Sequence, residues 1–350
     1  MKVLILGPFE DMQTGIYIME AFRKVASDVV AVDTRRIVTE VGGNKEAQDT
    51  ILNEIESMKI NPDLVLVLKG TEMAPDTLEK LQNTYTNAIY INWMFDKYIG
   101  DVPAWENKEY VKLIKMFDYY FCSLKGVADK LKNLGLTNIY YLPEACDPNY
   151  NGETYINYYQ SQKYGEDISF VGTIGLSKFH PNRIPILKKI INEGYRIKIW
   201  GGVACEWKLV PKELKEVHVQ EEAINDAHSK VVQNSLINLG IDQDPNVELG
   251  FSARLYRVLC AGGLYLTTYT KGLENMFKIN KQGELPTKDL ELVVYYDMDD
   301  LIKNIDFLLE HEDIRKQISI NGQKIVLEKH KFSDRINDIK NIIEENKWQK

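Results

Sequence analysis

One stretch of the sequence combines residue types that could bind a phosphate. Residues 251–269 read FSARLYRVLCAGGLYLTTY, which predicts a helix that ends at a double glycine and leads directly into a strand. Ser252 can cap the first turn of this helix, Arg254 lies within that turn, and Arg257 follows on nearly the same face. A helix N-terminus with an arginine beside it favours a bound phosphate. The alternative is an ordinary helix–strand unit with a solvated arginine.

The length and composition indicate a folded chain of two domains. With 350 residues, the chain is too long for one ordinary hydrophobic core. It is 44% hydrophobic and 27% charged, which is typical of a soluble globular protein. The formal net charge of −8 argues against a surface that holds long nucleic acids, although a local basic patch is compatible with it. We therefore expect no nucleic acid partner.

The cysteines and histidines are scattered, and their spacing is not typical of metal ligands or of a catalytic triad. The sequence contains no C-x-x-C motif, so we expect no metal site and reduced, buried thiols of the kind found in the cytoplasm. The N-terminal apolar run, Val3 to Leu6, is too short for a signal peptide. No apolar run approaches the ~20 residues of a membrane span. The sequence therefore predicts a cytoplasmic protein without a membrane span.

The first half of the chain alternates short apolar runs with helical patterns. Strands are predicted at 2–6, 29–33, 63–69, 88–93, 119–122 and 139–142. Because single helices separate them, they should form a parallel sheet through right-handed crossovers. Ligands of such sheets bind outside the carboxyl ends of the strands. The residues predicted at that edge are Gly7, Glu10, Gly15, Asp33, Lys69, Gly70, Asp96 and Glu144.

The alternating pattern restarts after a polar, tyrosine-rich segment, residues 147–167. Its composition predicts an interdomain linker, with a platform of stacked tyrosines for a carbohydrate as the alternative. Beyond it, one strand ends at Gly172-Thr173 and another at Gly201-Gly202. The predicted domains are 1–150 and 168–330, with a linker at 151–167 and a C-terminal helix within 331–350. Two α/β halves of this kind predict a ligand cleft between domains.

Short motifs along the chain resemble those of a known family. The first half contains DLVLVLKG, INWMFD and IYYLPEACDP, and the second contains ISFVGT, IKIWG, SARLYRVLCAGGLYLTTYTKGLENMF, ELVVYYDMDDL and HKFSDR. In this order they resemble the CgeB-like (spore maturation protein-like) glycosyltransferases, over nearly the whole chain. The resemblance implies a GT-B fold, in which two Rossmann-like parallel-sheet domains face a cleft and a C-terminal helix crosses back to the first domain. It also implies a nucleotide-sugar donor in the C-terminal domain, an acceptor in the N-terminal domain, and neither a metal nor another cofactor.

The resemblance implies a donor site in the second half of the chain. Its expected residues are Gly172, Thr173, Lys178, Arg183, Trp200, Gly201, Asn238, Ser252, Arg254, Tyr256 and Arg257. Ser252 and Arg254 match the family's Ser-x-Arg at a helix start and would bind the diphosphate. Either Lys178 or Arg183 would add a second positive charge, or would be a solvated loop residue. Of the remaining positions, 200, 201 and 238 would line a base pocket, although an aromatic residue that ends a strand is also typical of a core.

Two carboxylates in the first half are the candidate catalytic residues. Asp96 and Glu144 follow predicted strands, and either could position or deprotonate an acceptor hydroxyl. Capping a helix or binding a loop is the alternative role for each. The other positions expected on the acceptor side are Gly7, Glu10, Gly15 and Gly70.

One departure from the family pattern affects the donor site. Related families have Phe-Glu, with a glutamate that holds the ribose hydroxyls, where this chain has Tyr256-Arg257. Arginine has only donors, so it cannot accept hydrogen bonds from a ribose diol. Either the donor lies differently, or Arg257 binds an extra phosphate or an acidic sugar, or donor binding has been lost.

The sequence therefore predicts a glycosyltransferase of the hexosyltransferase type, for which similarity to related families favours retention of configuration. One alternative is a non-catalytic nucleotide- or sugar-binding protein, such as a spore-coat assembly component. A second is a sugar-nucleotide epimerase on the same fold. A third is a phage-type transferase that glycosylates modified DNA bases, against which the acidic net charge counts.

Overall fold

The chain forms two compact units. A computed structural model describes residues 1–9, 14–175, 180–242, 244 and 246–347. Unit 1 comprises Met1–Glu144 together with the chain from Phe332 onward, and unit 2 comprises Ala145–Lys331. None of the described helices is both long and apolar enough to cross a membrane.

Unit 1 is built on a parallel sheet made from the apolar runs of the sequence. Its strands are β1 (Lys2–Gly7), β2 (Asp28–Asp33), β3 (Leu64–Leu68), β4 (Ile89–Met94), the short antiparallel pair β5 (Tyr98–Ile99) and β6 (Val102–Pro103), β7 (Tyr119–Cys122) and β8 (Ile139–Tyr141). The sheet has the order β2-β1-β3-β4-β7-β8, with parallel pairings throughout. β3 reads LVLVL and is buried along its whole length, as expected for a strand covered on both faces. The helices are α1 (Gly15–Arg23), α2 (Thr34–Val41), α3 (Asn44–Ser57), α4 (Pro75–Thr84), α5 (Lys108–Ile114) and α6 (Lys125–Asn133).

Unit 2 repeats this architecture. Its strands are β9 (Glu166–Val171), β10 (Ile197–Trp200), β11 (Ser235–Gly240), β12 (Tyr265–Thr268) and β13 (Val293–Tyr295). They form a parallel sheet in the order β10-β9-β11-β12-β13. The helices are α7 (Pro148–Asn151), α8 (Tyr158–Tyr164), α9 (Arg183–Asn192), α10 (Lys212–Val217), α11 (Asp226–Gln233), α12 (Arg254–Cys260), α13 (Met298–Glu310) and α14 (Glu312–Lys329), with single 3-10 turns at Trp207–Leu209 and Leu273–Asn275.

The last helix, α15 (Phe332–Lys347), belongs to unit 1 and packs against α1. Its buried face carries Ile336, Ile339 and Ile343. Phe332, at the start of the helix, is fully buried and stacks on Tyr17 with ring centroids 5.9 Å apart. The two parallel sheets and the returning helix confirm the predicted α/β class with two Rossmann-like domains.

α2 and α8 are two of the helices that the sequence did not predict, and both begin with side-chain caps. α2 starts directly after β2 because Asp33 accepts a hydrogen bond from the Arg36 backbone N–H at 3.0 Å. Asp33, predicted at the ligand edge, therefore caps a helix. α8 lies within the tyrosine-rich segment and begins at a capping box formed by Asn157 and Gln160.

Phe332→Ala should lower the free energy of unfolding of unit 1 by about 3–5 kcal/mol, because it leaves a cavity beside Tyr17 and Trp93. Urea unfolding followed by near-UV circular dichroism measures the change. Ile320→Ala is the control, since its side chain on α14 is 59% exposed and its loss should cost little. Equal midpoints for Phe332→Ala and wild type would show that the helix does not stabilise unit 1.

Candidate functional site

Two glycines bring the ends of neighbouring strands together in unit 2. Gly172 follows β9 and Gly201 follows β10, and the Gly172 N–H donates to the Trp200 carbonyl at 2.8 Å. Gly201 has a φ of +118°, and a Cβ there would lie 2.9 Å from the Gly172 carbonyl oxygen. A side chain at position 201 would collide with the Gly172 backbone, so the close approach of these two strand ends requires glycine. Both predicted glycines lie at the carboxyl edge of the sheet.

Two arginines share one aromatic ring at this edge. The guanidinium carbons of Arg183 and Arg254 lie 5.6 and 5.3 Å from the centroid of the Phe170 ring, within cation–π range. Nη1 of Arg183 donates to the Thr173 carbonyl at 2.6 Å. A Cβ at Gly172 would lie 2.7 Å from Nη2 of Arg254, so this guanidinium lies directly against the glycine. The structure thus brings together five of the predicted donor residues, namely Gly172, Thr173, Arg183, Gly201 and Arg254.

Among the described residues, the carboxylate that interacts with both arginines is that of Asp242. Burial and, after it, the neighbouring charge of Arg254 together lower the pKa of Arg183 to about 9. Nε of Arg183 and Nη1 of Arg254 are buried, and neither has a hydrogen-bond acceptor among the described residues. The nearby carboxylate of Asp242 accepts from the Ser252 N–H at 3.1 Å and from Thr267 Oγ1 at 3.4 Å, and burial raises its pKa. Buried Arg183 and half-buried Arg254, beside one engaged carboxylate, are therefore a candidate anion site.

Two histidines complete this cluster without adding charge. Burial, Arg183 and Arg254 lower the pKa of His180 to about 4. Burial, Arg257 and Arg254 lower the pKa of His228 to about 3. Both imidazoles are therefore neutral at pH 7. Sequence reasoning missed both histidines and Asp242, although Asp242 follows β11 and the rule of strand ends would have selected it.

The predicted helix cap at Ser252 is wrong. α12 begins at Arg254 after Ala253, and it has no side-chain cap. Ser252 precedes the helix by two residues, and its backbone N–H donates to Asp242 Oδ1. With only seven residues α12 has a weak dipole, so the arginines rather than the helix end supply the positive charge.

Three predicted donor residues lie in the core of unit 2. Trp200 is 1% exposed and stacks on Tyr164, and Tyr256 is fully buried. Asn238 accepts from Ser169 Oγ at 2.8 Å and donates to the Val232 and Leu264 carbonyls. These side chains do not reach a surface where a base could bind, which corrects the expectation of a base pocket at 200 and 238. Sequence alone cannot tell a strand-end aromatic in a pocket from one in a core.

In unit 1, Asp96 forms an ion pair with Lys69 at the carboxyl edge of the sheet. Its Oδ2 lies 2.9 Å from Lys69 Nζ, and the carboxylate is half exposed. Lys69 and Gly70 both have positive φ, at +62° and +81°, and a Cβ at Gly70 would lie 2.6 Å from Asn92 Nδ2. Two consecutive left-handed residues therefore form the turn that places Lys69 opposite Asp96.

Glu144 lies beside the start of α1. It accepts a hydrogen bond from Thr14 Oγ1 at 3.0 Å, so it binds the residue that precedes Gly15.

Gly7 and Gly15 are packing glycines, since a Cβ at Gly7 would lie 2.7 Å from Leu68 Cβ and one at Gly15 would collide with the Pro8 carbonyl. Glu10 and Lys178 lie outside the described residues. Among the described residues, no three His, Cys, Asp or Glu side chains are grouped closely enough to hold a metal ion.

The lowered pKa of His228 predicts acid sensitivity. Between about pH 6.5 and pH 3 the unfolded chain binds a proton that the folded chain does not, so stability falls as the pH falls. The free energy of unfolding lost between pH 7.5 and pH 5 should be about 2 kcal/mol smaller in His228→Gln than in wild type. Urea titrations at the two pH values measure this, and equal losses in both proteins would contradict a neutral buried imidazole.

A family model matches the part of the chain that contains both arginines of this cluster. Residues 183–341 match the glycosyl transferase-like family. This region contains Arg183, Arg254 and Arg257. No curated protein matches the sequence.

Solved structures resemble the whole chain at low sequence identity. A sucrose-phosphate synthase from Thermosynechococcus elongatus superposes with a TM-score of 0.66 at 9% identity, covering 100% of both chains. HepE from Anabaena, solved with UDP and glucose, gives 0.68 at 8% identity and covers 99% of this chain and 100% of its own. A putative UDP-N-acetylglucosamine 2-epimerase from Listeria monocytogenes gives 0.53 at 13%, covering 99% and 98%. The fold is therefore GT-B, and the match over residues 183–341 supports a glycosyltransferase.

Proposed function

We propose that this chain is a metal-independent glycosyltransferase that moves a sugar from a nucleoside diphosphate sugar to an acceptor hydroxyl. The proposal rests on Arg183 and Arg254, which converge on Phe170 with buried N–H groups that no acceptor among the described residues satisfies. A diphosphate supplies the missing acceptors and the missing negative charge. The glycines at 172 and 201 allow it to approach the backbone closely.

In this mechanism the bond between the sugar carbon and the diphosphate oxygen breaks while the acceptor oxygen bonds to that carbon. The leaving diphosphate gains negative charge, and guanidinium groups that are fixed before the reaction stabilise it without reorganisation. The proton of the acceptor hydroxyl goes to a base, for which Asp96 is the candidate because Lys69 holds its carboxylate in place. Retention of configuration belongs to the proposal through the resemblance to retaining families.

The donor nucleotide is first tested as UDP, because HepE, which has the same fold, was solved with UDP and glucose and with UDP-glucose. UDP at 100 times its dissociation constant should stabilise the protein by about 2.7 kcal/mol, and Arg254→Ala should abolish this shift. Thermal unfolding with UDP, GDP, dTDP, ADP and CDP measures it.

Arg196→Ala is the matched control for the nucleotide shift. Arg196 is an arginine of unit 2 with a 70% exposed side chain, and it pairs with Glu166 and Asp167 at the start of β9. It should keep the full shift. If no nucleotide stabilises the wild-type protein, the proposal of a nucleotide-sugar donor fails.

Turnover separates an enzyme from a protein that only binds the donor. Without an acceptor, wild-type protein should release UDP slowly from UDP-glucose into water, and Arg254→Ala should lower that rate by roughly 10²-fold through lost stabilisation of the leaving group. A coupled assay for free UDP measures both rates. Binding of UDP-glucose with no release above the uncatalysed background would favour the non-catalytic binding protein instead.

A further inference from the structure

Three tyrosines on the surface of unit 2 are almost fully exposed. The exposed fractions of Tyr155, Tyr158 and Tyr159 are 85%, 73% and 83%. Among the described residues, the next most exposed large hydrophobic side chain is that of Ile320, at 59%. Four residues of chain span at most about 14 Å, so the three tyrosines form one patch, which we call the tyrosine platform. Clustered aromatic side chains in solvent mark an interaction surface, whereas single ones do not.

The segment that carries the tyrosine platform is held in place by hydrogen bonds. Ahead of the first tyrosine, the Thr154 N–H donates to Gln233 Oε1 at 3.1 Å. A capping box fixes the start of α8. Beyond the last tyrosine of the platform, Lys198 Nζ donates to the carbonyls of Lys163 and Gly165 at 2.9 and 2.8 Å. The exposed rings are therefore attached to a fixed backbone, so a ligand that binds them has little chain to order.

The packing of α8 assigns the platform no structural task. No residue of α8 is buried. Tyr164, at the end of the helix, stacks on Trp200 with ring centroids 5.5 Å apart and attaches the helix to unit 2. Tyr158 and Tyr159 could be polar without any loss of buried contact, since most of each side chain lies in solvent. Their aromatic character therefore points to a ligand.

The geometry of the rings restricts that ligand. Tyr158 and Tyr159 meet edge to face, with ring centroids 5.9 Å apart and an angle of 73° between their planes. Because the two rings touch each other, no gap is left between them in which an aromatic cage could enclose a cation. Their outward faces remain accessible. Such flat faces fit the apolar face of a sugar ring, while the tyrosine hydroxyls can donate and accept hydrogen bonds with sugar hydroxyls.

The charge pattern favours a neutral ligand. Residues 154–162 read TYINYYQSQ and contain no charged side chain. The charged side chains that border this stretch are already engaged in hydrogen bonds or ion pairs, namely Glu153 with Gln323, Lys163 with Glu221, and Asp226 with Lys230. Nucleic acids and anionic membranes bind basic surfaces, which an uncharged patch on a chain of net charge −8 does not provide.

The size of the platform also counts against a protein partner. Three tyrosines offer roughly 600 Å² of contact area. A stable protein interface buries ~800 Å² on each partner. One sugar ring, in contrast, covers about one aromatic face, so a short run of sugars matches the area of three tyrosines.

We propose that the tyrosine platform binds a neutral glycan chain, with sugar rings lying on the exposed tyrosine faces. This binding goes beyond the proposed transfer and does not depend on it. The platform and the candidate anion site belong to the same unit, since the ring on which Tyr164 of α8 stacks is that of Trp200, the residue directly before Gly201.

Saturation-transfer NMR with maltohexaose, cellohexaose and laminarihexaose tests the platform. At least one of these neutral oligosaccharides should give a saturable signal with the wild-type protein. The triple variant Tyr155→Ala/Tyr158→Ala/Tyr159→Ala should raise its dissociation constant roughly tenfold or more. The matched triple variant with Phe at the same positions keeps the ring faces and should keep most of the binding. Ile320→Ala, which removes an exposed apolar side chain elsewhere in unit 2, should bind like wild type.

The same variants give the results that would overturn the inference. Absence of signal from all three oligosaccharides, or an unchanged dissociation constant in the triple Ala variant, would do so. So would a dimer in light scattering that the triple Ala variant abolishes, if no oligosaccharide binds, because the platform would then join two copies of the chain. The triple Ala variant should keep the UDP shift, and Arg254→Ala should keep the glycan signal, so either proposal can fail without the other.

Discussion

The chemistry proposed for unit 2 depends on two guanidinium groups, those of Arg183 and Arg254, that share one aromatic ring. Among the described residues, the carboxylate that interacts with both is that of Asp242. The Phe170 ring attracts both cations, and the Thr173 carbonyl accepts one N–H of Arg183. These contacts hold Arg183 and Arg254 close despite their repulsion, which contributes to the lowered pKa of Arg183. An anion that binds between the two arginines would relieve this repulsion, so ligand binding and stability would be linked.

The topology of the sheet explains why these groups meet. Phe170 and Gly172 come from β9 and its end, and Arg183 begins the helix that follows. Arg254 begins the helix that follows β11, the direct neighbour of β9. In a parallel sheet the connections after neighbouring strands leave from the same edge, so Arg183 and Arg254 converge although they are 71 positions apart in sequence. The same rule brings Lys69, after β3, to Asp96, after β4, in unit 1.

The sequence predicted the sheets and this edge well, because buried parallel strands have unmistakable apolar runs that glycines terminate. Gly172 and Gly201 were placed at this edge in this way, whereas Arg254 was selected from a helix pattern and Arg183 from the family resemblance. Side-chain direction at the same edge could not be predicted, since Trp200 and Asn238 point into the core although their positions in sequence are equivalent to those of site residues.

Three explanations are open for Arg257, which stands where related families have glutamate. The donor lies differently, Arg257 binds an extra phosphate or an acidic sugar, or donor binding has been lost. Arg257 and Arg254 both depress the pKa of His228, so the positive potential extends along α12 beyond the Phe170 ring. If donor binding had been lost, a neutral residue in place of buried Arg183 would remove a repulsion that has no benefit, and such replacements are often stabilising. Arg183 and Arg254, beside two close-packed glycines, are compatible with the explanation that an anionic group binds there. In such a site Arg257 would select the ligand by its negative charge, where a glutamate would select it by its ribose hydroxyls.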